Sequence, residues 1–202
     1  MADPGPGVLL YAVELRELRE WIGCRDESRL RRAWEVVQEQ DEDEGWDEDA
    51  LPVLEKLVRR IVMDGILYDG LDEERRYLVT QVLIDLFDEF VDQESVSEEL
   101  PLRRLAEAVS GLPRESETVR LAGWLVRGRE LFGGRCLWTG GDPAELGPYL
   151  GYLTSEESAR LAEALAPLTR SRHGKGQGLL RTLRSAAEEC ARSGRDLVSF
   201  VG

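Results

Sequence analysis

The chain has 202 residues, enough for one sizeable core, and its 42% hydrophobic and 33% charged content suits a globular protein with a heavily charged surface. A formal net charge of -14 repels polyanions and argues against non-specific nucleic-acid binding, which needs a basic footprint. No apolar run approaches the roughly 20 residues that span a bilayer, and residues 1–7 have neither the basic nor the apolar part of an export signal, so a disordered start and a cytoplasmic location are expected.

Val8, Leu9, Leu10, Tyr11, Ala12 and Val13 form a short apolar run that predicts a buried strand. Leu15, Leu18 and Ile22 follow at helical spacing, with Gly23 as a natural stop. Asp26 is placed to cap a second helix, whose apolar stripe is Leu30, Ala33, Trp34 and Val37. Residues 38–50 read QEQDEDEGWDEDA, a block that repels itself and predicts a solvated acidic loop with Trp46 in its midst. Pro52 opens a helix carrying Leu54, Leu57, Val58 and Ile61, and Asp64-Gly65 and Asp69-Gly70 mark turns.

Asp72 then caps the most apolar helix, with Val79, Val82, Leu83, Leu86 and Phe90 on its core face. Shorter helices follow around residues 102–109 and 118–131. Cys136, Leu137 and Trp138 suggest a brief strand, and residues 140–148 a loop. Thr154 and Glu157 have the spacing of a capping box. After a basic, Gly-rich stretch, Leu179, Leu183, Ala187 and Cys190 mark a last helix stopped by Gly194, and residues 196–201 alternate as a strand should. No internal repeat and no Pro/Ser linker divides the chain. The elements predict an α+β fold. A predominantly helical single domain spans residues 8–202, with the acidic loop at 38–50. Its small sheet comes from the N- and C-terminal strands, which can lie side by side.

The residues that could carry chemistry are few. His173 is the one histidine, so no paired-His zinc motif exists, and a Ser-His-Asp arrangement would have to use a loop residue. Cys24, Cys136 and Cys190 are odd in number and far apart, without CxxC spacing, and read as reduced thiols. Gly45 set at the sixth place of a calcium loop puts Leu51 where a glutamate is required, so the acidic block fails as an EF-hand. No metal, no cofactor and no catalytic residue is therefore assigned. A non-catalytic protein is expected.

Two surfaces remain. Asp41, Glu42, Asp43, Glu44 and Asp47 around Trp46 have the character of a docking patch, a Trp anchor ringed by charges that steer a basic protein partner; the plainer alternative is a solvated charged loop. Arg170, Arg172 and Lys175, in the Gly-rich loop at 170–178 that leads into a helix, have the character of an anion site; the alternative is an exposed loop that balances the acidic half. The loop lacks the GxxxxGK[ST] spacing of a P-loop.

Tyr152, Leu153 and Thr154 opening a helix, a later helix with Ala186 and Ala187, and the run Gly194-Arg195-Asp196-Leu197-Val198-Ser199-Phe200 resemble, in that order, the tail of the YfbM-like family of uncharacterised bacterial proteins. Leu10-Tyr11-Ala12-Val13 followed by Leu15-Arg16-Glu17-Leu18 is similar to the start of that family. The resemblance covers about a third of the chain. It implies an α+β fold with edge strands from both ends and carries no activity. The leading expectation is a bacterial cytoplasmic protein of adaptor or immunity type that binds a protein through its acidic surface. The alternative is a small-ligand or phosphate-binding protein, or an enzyme, built on loop 170–178. Neither membrane association nor nucleic-acid binding is expected.

Overall fold

In the computed structural model, the residues described are 6–44, 50–90, 93–112, 116–132, 149–170 and 176–201. The first strand, β1 (Gly7–Val13), is central to a five-stranded antiparallel sheet. On one side it pairs with β5 (Asp196–Val201), from Val8 opposite Val201 to Val13 opposite Asp196. Its other edge is shared by two short strands. β2 (Gln93–Ser95) pairs with Tyr11, Ala12 and Val13, and β3 (Leu100–Pro101) pairs with Gly7 and Val8. β4 (Tyr149–Leu153) lies beyond β5. The adjacent first and last strands and the mostly helical α+β composition agree with the sequence reading.

Two compact units divide the chain: residues 15–91, and the sequence on either side of them. The sheet belongs to the second unit, with α5 (Leu102–Ser110), α6 (Glu117–Arg127), α7 (Ser155–Thr169) and α8 (Gln177–Ser193). Strand periodicity sends Val8, Leu10 and Ala12 of β1 to the same face as Leu197 and Val201 of β5 and Tyr149 and Leu153 of β4. These residues form one buried cluster with Leu105, Leu125, Leu165, Leu183 and Cys190 from the four helices. Ser199 is the polar exception on that face. Its hydroxyl donates to the Leu125 carbonyl at 2.7 Å, so it is not stranded there. Opposite it, Gly151 lets α6 touch the sheet: a Cβ there would stand 2.2 Å from the Trp124 carbonyl oxygen and 2.6 Å from Ser199 Oγ.

The unit of residues 15–91 is helical: α1 (Arg16–Trp21), α2 (Glu27–Glu44), α3 (Leu51–Arg59) and α4 (Glu73–Phe90). Asp26 Oδ1 accepts from the backbone N–H of Ser28 at 2.8 Å and from the Ser28 hydroxyl at 2.6 Å. Asp72 Oδ1 accepts from the Arg75 N–H at 2.9 Å, so both expected caps form. The Ser28 hydroxyl and the Ser28 and Arg29 N–H groups hold the Asp26 carboxyl below its ordinary value. α3 runs on into a π-helical turn, Arg60–Asp64, which the sequence did not announce. The loop after α1 brings further donors to the carbonyls of that turn. Gly23 N–H reaches the Ile61 carbonyl at 2.9 Å and Arg25 N–H reaches that of Val62 at 3.3 Å. Gly23 and Gly65 both have left-handed backbones (φ 69° and 68°), and a Cβ on Gly23 would lie 3.1 Å from Gly65 Cα, so the contact needs glycine twice over.

α2 continues to Glu44 and does not give way to a loop at residue 38. Glu and Gln are good helix formers, and extending an existing helix costs far less than starting one. Arg32 supports the stretch before the run, with Glu35 and Glu39 at 3.6 Å each and Glu89 of α4 also paired to it. The strand expected at 136–138 and the loop at 140–148 lie outside the described residues, as do Trp138 and His173.

Candidate functional site

Asp41, Glu42, Asp43 and Glu44 occupy the last turn of α2, and that turn holds no basic residue. That turn is the C-terminal end of the helix. That end already carries the negative pole of the peptide dipoles, where cations are favoured and anions are not. Trp46 and Asp47 lie outside the described residues.

Of the expected anion site, Arg170 is exposed at the C-cap of α7, while Arg172 and Lys175 lie outside the described residues. Next to the end of that loop is a feature the sequence does not show, a cavity of about 1130 Å³ between α5 and α8. Leu112, Leu168, Leu179 and Leu180 give it apolar walls, and among the described residues Arg104, Glu107 and Gln177 are its polar lining. The two helices meet at Gly176, where a Cβ would stand 2.7 Å from the Ala108 Cβ. Gly176 is also the N-cap of α8, and no side chain caps that helix. The Gln177 carboxamide oxygen is buried and accepts no hydrogen bond. At Gly178, on the cavity wall, an added Cβ would meet nothing within 4 Å.

A third cluster is a firm structural joint. The Arg129 guanidinium carbon lies 3.9 Å from the Trp124 ring centre and 4.5 Å from that of Tyr152. Arg129 Nη1 donates to Glu157 Oε2 at 2.7 Å and approaches the Tyr152 carbonyl at 3.4 Å, while its backbone N–H bonds the Leu150 carbonyl at 3.0 Å. Glu157 is also the returning partner of the capping box, accepting from Thr154 N–H at 3.0 Å as Thr154 Oγ1 accepts from Glu157 N–H at 3.2 Å. Burial pushes the Glu157 carboxyl up, but the hydrogen bonds from Arg129 and Thr154 and the charges of Arg129 and Arg160 hold it below its ordinary value. The cluster joins α6, β4 and α7. Nothing in the sequence singled out Arg129, because its partners lie in three separate segments.

Cys190 is buried in the core, and burial, followed by Glu189 and Asp196, pushes its thiol up to about 12, so it serves as packing. Among the described residues no group of three or more His, Cys, Asp and Glu is placed to hold a metal ion, and no helix is long and apolar enough to cross a membrane.

The frame that carries these features is α+β, and the comparisons give the family without an activity. Residues 5–202 match the family described as a domain of unknown function (DUF7691), and the chain belongs to that family. No curated protein and no solved structure matches it.

Proposed function

We propose that the protein is a non-catalytic protein-binding module of the bacterial cytoplasm, of adaptor or immunity type, that uses the acidic end of α2 to engage a basic protein. One observation carries the reading: four successive acids close α2 with no base in the last turn. Each anion at that end works against the helix dipole and its neighbours, so the arrangement costs stability. Charge held at an unfavourable place is what an electrostatic docking surface looks like, since it raises the encounter rate with a cationic partner. The terminal resemblance to the YfbM-like proteins belongs to the same proposal. It is supported by the pairing of β1 with β5, which brings together the two segments that carry it.

The test uses the variant Asp41→Asn, Glu42→Gln, Asp43→Asn, Glu44→Gln in native capture across a salt series. The reading expects the natural protein to hold a partner at low salt and release it as salt rises. The neutralised protein should have an equal or higher melting midpoint and capture nothing. Equal capture by both proteins refutes the reading.

A further inference from the structure

We infer that the cavity between α5 and α8 is a binding site for an apolar small molecule with a monoanionic carboxylate head. The site is separate from the acidic end of α2 and stands whether or not that surface binds a protein. Its size exceeds what one side chain could fill, and its walls are leucine, the composition of sites that take an aliphatic body. Polar groups share the lining with the leucines. α8 begins with an uncapped N-terminus, whose first-turn N–H groups point out of the helix and favour an anion. Arg104, on the cavity wall, is exposed and has no ion pair among the described residues. Gln177 stands at the first position of α8 with a buried carboxamide oxygen that accepts nothing. A half-turn of that amide exchanges oxygen for NH₂ without changing its shape, so it can donate to an anionic head.

The charge balance of the described lining selects the head group. Arg104 contributes one positive charge and Glu107, one turn further along α5, contributes one negative. The helix N-terminus adds about half a positive charge. The remaining field suits one negative charge and is weak for the two of a phosphate monoester. The apolar wall supplies affinity through the chain, at roughly 0.8 kcal/mol for each buried methylene. A headless alcohol of the same length would use that wall but not the charged groups.

Isothermal titration of the full chain with dodecanoate, dodecanol and dodecyl phosphate, all below their micellar concentrations, tests the inference. Dodecanoate should bind saturably at one site, about tenfold more tightly than either of the others. Arg104→Gln should weaken dodecanoate about tenfold and leave dodecanol unchanged, and Arg104→Glu should weaken it further. Gly178→Phe places a ring where the structure has open space and should abolish binding without lowering the melting midpoint. Arg104 is on the surface, so its two variants keep the test decisive should the Phe variant fold poorly. Absence of saturable dodecanoate binding overturns the inference, as does binding that survives in a folded Gly178→Phe protein. Preference for the phosphate, or indifference to Arg104, overturns the assignment of the head group.

Discussion

The joint made by Arg129 and Glu157 can be tested quantitatively. Their side chains are 11% and 13% exposed, far nearer the buried than the solvated limit. Exposed pairs contribute about 0–1 kcal/mol, whereas removing one member of a buried pair costs about 3–5 kcal/mol because the other is left uncompensated. Arg129→Ala also removes the guanidinium from the faces of Trp124 and Tyr152, each contact worth about 0.5–2 kcal/mol. Against this, Glu157 keeps the Thr154 N–H, which softens the loss. A destabilisation of about 3–4 kcal/mol follows. With a urea slope of about 2 kcal/mol per molar, the midpoint falls by roughly 1.5–2 M. The ion pair itself is isolated by a double-mutant cycle of Arg129→Met and Glu157→Gln, with an expected coupling of about 1.5–3 kcal/mol at pH 7. Glu157 has a folded pKa below its unfolded value, so its contribution is present above the unfolded value of about 4.3 and is lost as pH falls through the folded one. The coupling should shrink on that acid side and stay level from pH 6 to 8. A coupling below about 0.5 kcal/mol at pH 7, or one that ignores acid, would refute the account.

Three further substitutions or labels probe the same unit. Gly151→Ala drives a methyl into the Trp124 carbonyl and Ser199 Oγ, and since the first of these is backbone, α6 must lift from the sheet. Urea melts should show a loss of about 3 kcal/mol or more, against no loss for Gly178→Ala, which enters open space. Ser116→Ala removes the hydroxyl that accepts from Val119 N–H at 3.3 Å at the start of α6, and thermal melts should register about 1 kcal/mol. In a Cys24→Ser, Cys136→Ser background, Cys190 should resist a thiol reagent at pH 8 until denaturant is added, because only the thiolate reacts; prompt native labelling would contradict its burial.

What could be read from the sequence was local. Asp26, Asp72 and Thr154 sit two or three residues before the amides they satisfy and Glu157 three residues after its own, so side chain and backbone partner share a short segment. β1 and β5 were legible as apolar runs bounded by glycine or charge. β4 was not, because Tyr149–Leu153 is buried on both faces and shows no alternation, with Gly151 answering to α6 and Ser199. β2 and β3 are too short to carry a pattern at all. The acidic run misled in the other direction: self-repulsion suggested a loop, while propensity and the ties of Arg32 carry the helix on to Glu44. The α5–α8 cavity was invisible for another reason. It depends on where Gly176 meets Ala108, residues far apart in sequence, and a space has no residue of its own to announce it.

The placement of β1 bears on how the chain is made. It leaves the ribosome well before its partner: β5, which pairs with Val8 through Val13, comes more than 180 residues later. At about 5–20 residues per second, the strand waits on the order of ten to forty seconds for that partner. Through that interval an apolar central strand has an open edge, the kind of template on which nascent chains aggregate. The intervening residues 15–91 can meanwhile complete contacts of their own. The β1–β5 pairing therefore joins segments made far apart in time, and expression slowed near residue 190 should lower the soluble yield more than the same pause near residue 60.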